Sequence, residues 1–158
     1  MVKVLFVCFG NICRSPMAQG ALTRLLEREG LLGQVEVSSA GTHTYHLSSS
    51  PDERARRAMQ RRGIDIDGIS ARRLAPDDFQ RFDYLIAMDR DNFRFLQEQC
   101  PEEMRSKLSM LMDYAPHFHA ADVPDPYYGP ELWFDRVLDM IDAAAEGLLA
   151  ELRRRHFL

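Results

Sequence analysis

The chain opens, after Met1, on Val2-Lys3-Val4-Leu5-Phe6-Val7-Cys8-Phe9-Gly10-Asn11-Ile12-Cys13-Arg14-Ser15-Pro16, and this stretch decides the fold. Val2–Cys8 is β-branched and aromatic, of strand length, and nearly all apolar, as a strand buried on both faces requires. Phe9-Gly10-Asn11 stops it. Ser15-Pro16 reads as an N-cap followed by proline at the first helical position, and helical spacing runs on to about Glu29. A strand, a tight loop and a helix therefore follow one another without a linker.

Further along, the same alternation repeats. Val35–Ser39 reads as a second strand, and Ser50-Pro51-Asp52-Glu53 as a capping box opening a helix that Gly63 closes. Pro76-Asp77-Asp78 starts a short helix, Tyr84–Met88 is a third strand, and Arg90–Gln99 a helix stopped by Pro101. Lys107–Met112 is a weaker fourth strand. Ala115–Pro130 holds four prolines and reads as loop, and Glu131 to about Arg154 is a long helix. Strands alternating with helices predict a doubly wound α/β fold: a four-stranded parallel sheet, helices on both faces, and right-handed crossovers. With 158 residues, no repeat and no linker, one domain spanning 1–158 is expected.

Composition narrows the partners. Lys and Arg number 20 against 24 Asp and Glu, a net charge of −4, without the basic surplus of a nucleic-acid module. No apolar run approaches the roughly 20 residues of a membrane span, and Val4–Phe9 is too short for a secretory leader. Cys8, Cys13 and Cys100 make an odd count, which suits reduced thiols and a cytoplasmic protein better than a disulfide framework. His117 and His119 lie in the proline-rich loop away from any cysteine, so no metal site is expected.

In an open parallel sheet, ligands bind beyond the carboxyl ends of the strands. The segment after the first strand is built for an oxyanion. Gly10 and Asn11 tolerate positive φ, so the loop can curl with successive N–H groups inward, and the helix that follows turns its positive end to the same spot. Arg14 adds a planar fork that matches two phosphate oxygens. Cys8 at the root of this nest is placed as a nucleophile toward bound phosphorus, with the Ser15 hydroxyl able to donate to its sulfur. A cysteine ending an apolar strand is usually only a buried small side chain. Here Gly, Asn, Arg, Ser and Pro all occupy the places that the chemistry needs. No Gly-Lys-Ser/Thr follows, which argues against a nucleotide phosphate loop.

Val7–Gln19 (VCFGNICRSPMAQ) resembles the signature of the low-molecular-weight protein tyrosine phosphatases. Ser38–Thr42, Ser50–Ala55, Ala71-Arg72, Ala87–Asp89 and Val123–Gly129 resemble further family segments in order and spacing. The resemblance covers essentially the whole chain. It implies a two-step hydrolysis of phosphotyrosine in protein substrates, with no cofactor and no metal. Cys8 would attack phosphorus while Arg14 and the N–H groups of Phe9, Gly10, Asn11, Ile12, Cys13 and Ser15 hold the oxygens. Asp125 would protonate the leaving phenol and later take a proton from water.

The resemblance also implies cleft walls at Phe9, Tyr45, Tyr127 and Tyr128. Ile12 stands where related arginine phosphatases carry threonine. Asn11, Ser15 and Ser39 would support the loop, because Ile69 stands nearest the place where many members have a supporting histidine. Cys13 could pair with Cys8 on oxidation, since both lie on one loop. Exposed Tyr127 and Tyr128 would permit at most weak self-association of a monomer. Two rivals remain. An arsenate reductase of this fold would need resolving cysteines near the third strand, and residues 82–99 contain none. A silent phosphate-binding module would lack Cys8, Arg14 or Asp125, and all three are present.

Overall fold

The first strand, β1 (Val2–Cys8), sorts its side chains between two cores, as the period of two along a strand dictates. In the computed structural model, which describes residues 1–158, Val4, Phe6 and Cys8 join the larger core and Leu5 and Val7 the smaller. The chain continues through α1 (Arg14–Arg28), β2 (Val35–Gly41), α2 (Glu53–Arg61), α3 (Asp78–Arg81) and β3 (Tyr84–Ala87). It ends with α4 (Arg90–Gln99), β4 (Leu108–Met110) and α5 (Leu132–His156). The sheet order is β2-β1-β3-β4 and every neighbouring pair is parallel.

Helices cover both faces, as expected. On one face α1 and α5 pack together over the large core, with Met17, Leu22, Leu26, Phe134, Leu138, Ile141 and Leu148 fully buried. On the other, Phe79 and Phe82 from α3 and its end, with Leu96 of α4, close over Leu5, Val7, Leu85 and Ala87. α2 lies against α5 along an ionic seam: Arg57 pairs with Glu131, Arg61 with Asp135 at 2.9 Å, and Arg62 with Asp139 and Asp142 at 2.7 Å each. Such exposed pairs contribute little singly, but here they run in register along two helices.

The expected elements are all present, with differences at their ends. α2 is capped by Asp52, whose carboxylate accepts from Arg54 N at 2.8 Å, and not by Ser50. Either residue is a good cap, and Pro51 sits between them. α1 begins at Arg14 and has no side-chain cap, because the Ser15 hydroxyl is engaged elsewhere. The fourth strand is cut to three residues, since Glu102–Lys107 and Leu111–Tyr114 wind into 3₁₀ turns on either side. Within the proline-rich segment Pro116–Phe118 forms another such turn.

The order β2-β1-β3-β4 reverses direction between β1 and β3, which opens a crevice at their carboxyl ends. Three segments meet there: the loop after Cys8, Met88-Asp89 after β3, and residues 123–125, whose Val123 N–H donates to Met88 O at 2.8 Å.

Candidate active site

Asn11 shapes the loop between β1 and α1. Its backbone sits in the left-handed region (φ 57°), where asparagine is tolerated, and its side chain is buried. Both ends of the amide are engaged: Nδ2 donates to Ser15 Oγ at 2.8 Å and Ser39 Oγ at 3.0 Å, while Oδ1 accepts Arg72 N at 2.9 Å. Ser39 Oγ in turn donates to Gln19 Oε1 at 2.7 Å. Gly41 permits the close approach of β2, since a Cβ there would lie 2.8 Å from Phe9 O and 3.1 Å from Asn11 N.

Cys8 ends β1 with its sulfur 3.0 Å from Ser15 Oγ and 3.3 Å from Asn11 N, which donates to it. Ser15 Oγ already accepts from Asn11, so its own hydrogen is free for the sulfur. Two donors therefore face the same atom, and both stabilise negative charge there. Cys13 differs. Burial above all, then the nearby Asp52 and Cys8, pushes its thiol far above the ordinary cysteine range, so it remains protonated at neutral pH.

Arg14, the first residue of α1, is buried and crosses the crevice. Its Nη1 donates to Asp89 Oδ2 at 2.5 Å and to Val123 O at 2.9 Å. Its Nη2 lies 3.7 Å from Asp125 Oδ2. Burial opposes the charge, but Cys8, Asp89 and Asp125 outweigh it and hold the guanidinium more firmly protonated than a free arginine. Asp125 is part-exposed, and its Oδ1 accepts Tyr127 N at 3.1 Å, a local turn that fixes the carboxylate.

Cys8, Arg14 and Asp125 line a single cleft of about 390 Å³, together with Phe9, Gly10, Ile12, Cys13, Tyr45, His46, Tyr127 and Tyr128. Ser39 stands behind the loop and does not line the cleft. Tyr128 is 92% exposed at the rim, whereas Tyr127 is half-buried beneath Arg54, so only one tyrosine of the pair is open to solvent. Arg54 ties this wall down. It binds the Asp52 carboxylate through Nε and Nη2 at 3.1 and 3.0 Å and lies over the rings of Tyr127 and Phe134. Although burial opposes it, bonding to Arg54 holds the Asp52 carboxyl below the usual carboxylate range. Asp52 N donates to Ile12 O at 2.7 Å, which joins the wall to the loop.

Sequence reasoning placed Cys8, Arg14 and Asp125 but missed four contributors. Asp89 and the Val123 carbonyl aim Arg14, while Gln19 and the Arg72 amide hold the Ser39–Asn11 chain. Ile69 is half-buried against the core and takes no part in that chain. Asp89 and Arg72 lie in segments that matched the family pattern, which was the available signal. Gln19 closes the segment Val7–Gln19 that resembles the family signature, but nothing in the sequence marked its bond to Ser39.

Comparison with known proteins agrees with this geometry. The family model for low molecular weight phosphotyrosine protein phosphatase matches residues 3–157. Over 154 residues the chain is 40% identical to the low molecular weight protein-tyrosine-phosphatase YfkJ of Bacillus subtilis, covering 98% of this chain and 97% of that one. The crystal structure of an Entamoeba histolytica protein tyrosine phosphatase with Hepes in its active site superposes with a TM-score of 0.95 at 38% identity, over 99% of both chains. The YwlE arginine phosphatase superposes with a TM-score of 0.86 at 27% identity, over 96% of both. Fold, loop and full-length similarity coincide, and the chain belongs to the low molecular weight protein tyrosine phosphatase family.

Proposed function

We propose that the chain hydrolyses phosphotyrosine in proteins, and other aryl phosphates, through a cysteinyl-phosphate intermediate. The observation that carries this reading is the convergence of Cys8, Arg14 and Asp125 on one aromatic-walled cleft. In the first step the Cys8 sulfur attacks phosphorus in line, and the phosphorus–oxygen bond to the phenol breaks as Asp125 gives the departing oxygen its proton. In the second step Asp125 takes a proton from water, the water oxygen attacks phosphorus, and Cys8 leaves as a thiolate that Ser15 stabilises. Arg14 and the loop N–H groups supply positive charge to the equatorial oxygens throughout. Since these groups meet the phosphate charge, no step calls for a metal.

Specificity for an aryl group rests on Phe9, Tyr45, Tyr127 and Tyr128, between which a phenyl ring is buried favourably. Phosphoserine has no such surface to bury. Ile12, apolar at the cleft, supports tyrosine over arginine as the phosphorylated residue. The test is hydrolysis of an aryl phosphate, compared with phosphotyrosine and phosphoarginine peptides, with and without EDTA. Turnover unaffected by chelator and favouring phosphotyrosine is expected. Loss with EDTA, or a preference for phosphoarginine, overturns the corresponding part.

Asp125→Asn tests the acid separately. It keeps the shape of the Tyr127 turn but cannot give a proton to the phenol, so turnover of phenyl phosphate is expected to fall by about 10²-fold, within the usual range for a general acid. An aryl phosphate with a strongly acidic phenol leaves without help and is expected to lose far less. Equal losses on both substrates would remove Asp125 from this role.

The same loop, with Cys8 and Cys13 both free, supports redox control in a reducing compartment such as the cytoplasm. Peroxide converts Cys8 to a sulfenic acid, and the Cys13 thiol then displaces water to form a disulfide. Activity lost to peroxide is expected to return with dithiothreitol. In Cys13→Ser the recovered fraction should fall severalfold after prolonged exposure, and equal recovery would exclude the pairing.

A further inference from the structure

The wall of the cleft does not stop at Phe9. The His43 ring stacks on Phe9 with centroids 5.2 Å apart and planes 20° from parallel, and Phe95 meets the far side of this row edge-on, 5.0 Å from His43. Tyr45 flanks Phe9 at 6.1 Å on the cleft side. The result is a row of four rings, Tyr45, Phe9, His43 and Phe95, leading out of the cleft onto the first turns of α4. Phe9 is 44% exposed, His43 is exposed and Phe95 half-buried, so the row presents apolar surface to solvent.

The row is also held in place. His43 N donates to Phe9 O at 2.9 Å, and the ring nitrogen Nδ1 bonds to Thr42 Oγ1 at 2.9 Å. Thr42 is buried and its N–H donates to Cys8 O. Phe95 sits on a helix whose N-terminus is closed by a reciprocal capping box between Asp89 and Asn92. Rings fixed before a ligand arrives lose little freedom when it binds.

We propose that this row is a peptide subsite, taking an aromatic or bulky aliphatic side chain two residues from the phosphotyrosine of the substrate; the inference rests on the phosphotyrosine reading above. An extended peptide advances about 3.3 Å per residue, and side chains two apart point to the same face. When the phosphotyrosine ring points down into the cleft against Phe9, the side chain two positions away points down as well. It then lands two strand steps from Phe9, over His43 and against Phe95. The occupant is thereby fixed by continuity with the cleft: in this proposal one flank of the chain that enters the cleft passes over the row.

The experiment uses phosphotyrosine peptides carrying phenylalanine or glycine at the first and second positions on either side, with phenyl phosphate as a substrate too small to reach Phe95. Phenylalanine at one of the two second positions is expected to raise kcat/KM about fivefold, the gain of an added aromatic contact. In Phe95→Ala this gain disappears, while phenyl phosphate hydrolysis is unchanged and shows that the variant is folded. Phe95→Trp, which keeps a ring in the row, is expected to retain the gain. No preference at either second position, or a preference that survives Phe95→Ala, overturns the subsite. Failure of the wild type to hydrolyse phenyl phosphate overturns the phosphatase reading instead.

Discussion

Cys8→Ser is expected to lower aryl phosphate hydrolysis by about 10⁴-fold or more, since in the proposed mechanism it removes the attacking sulfur. Inorganic phosphate should still bind at close to wild-type affinity. The reason lies in the local geometry: the replacement oxygen sits where the sulfur did, within reach of Asn11 N and Ser15 Oγ, so the loop keeps its shape. A hydroxyl there is a weaker nucleophile than sulfur and a poorer leaving group in the second step. Calorimetric titration with phosphate, alongside initial rates, separates the two properties. Substantial turnover by the variant would mean that another group attacks phosphorus, and Cys13, held protonated by burial, is poorly suited to do so.

Arg14→Ala carries the second largest effect, a loss of roughly 10³–10⁵ in kcat/KM by analogy with other arginines that clamp a phosphoryl group in transfer. Unlike the previous variant, it is expected to weaken phosphate binding too. Arg14 is buried and pinned at one nitrogen by Asp89 and Val123 O, which turns its other nitrogen toward Asp125 and the cleft. Removing it leaves the Val123 carbonyl without this donor, costing roughly 1–3 kcal/mol of stability. Asp89 is less exposed to harm, because it also caps α4 through Asn92 N at 2.8 Å. Arg14→Lys retains a charge but not the fork, so its activity should fall between alanine and wild type. A loss below tenfold in Arg14→Ala with full phosphate affinity would show that the backbone N–H groups alone hold the anion.

What could be read from the sequence was whatever local order encodes. Val2–Cys8 is apolar on both faces and could only be an inner strand, and Gly10-Asn11 before Arg14-Ser15-Pro16 could be recognised as an anion nest because all its parts are contiguous. Helix ends were harder. Ser15 looked like a cap because serine caps so many helices, yet its hydroxyl is spent on Cys8 and Asn11, and α1 starts two residues earlier than that cap implies, without any side-chain cap. Ser39 was correctly seen near the loop, but Gln19 beyond it was not. That contact joins a helix face to a neighbouring strand and leaves no trace in periodicity. The bond from Asp89 was hidden for the same reason: 75 positions separate it from Arg14, and only the parallel pairing of β1 and β3 brings the two together.

The saturated side chain of Asn11 has a thermodynamic consequence. With both its N–H groups and its oxygen engaged by Ser15, Ser39 and Arg72, the Asn11 side chain fixes the curl of the loop from within the protein. If the loop takes a tetrahedral anion as proposed, little backbone ordering remains to oppose its association. The same rigidity makes the cradle indifferent to whether the anion is still esterified. On the proposed reading inorganic phosphate is therefore expected to compete with substrate for the site, which would tie flux through the enzyme to the phosphate concentration around it.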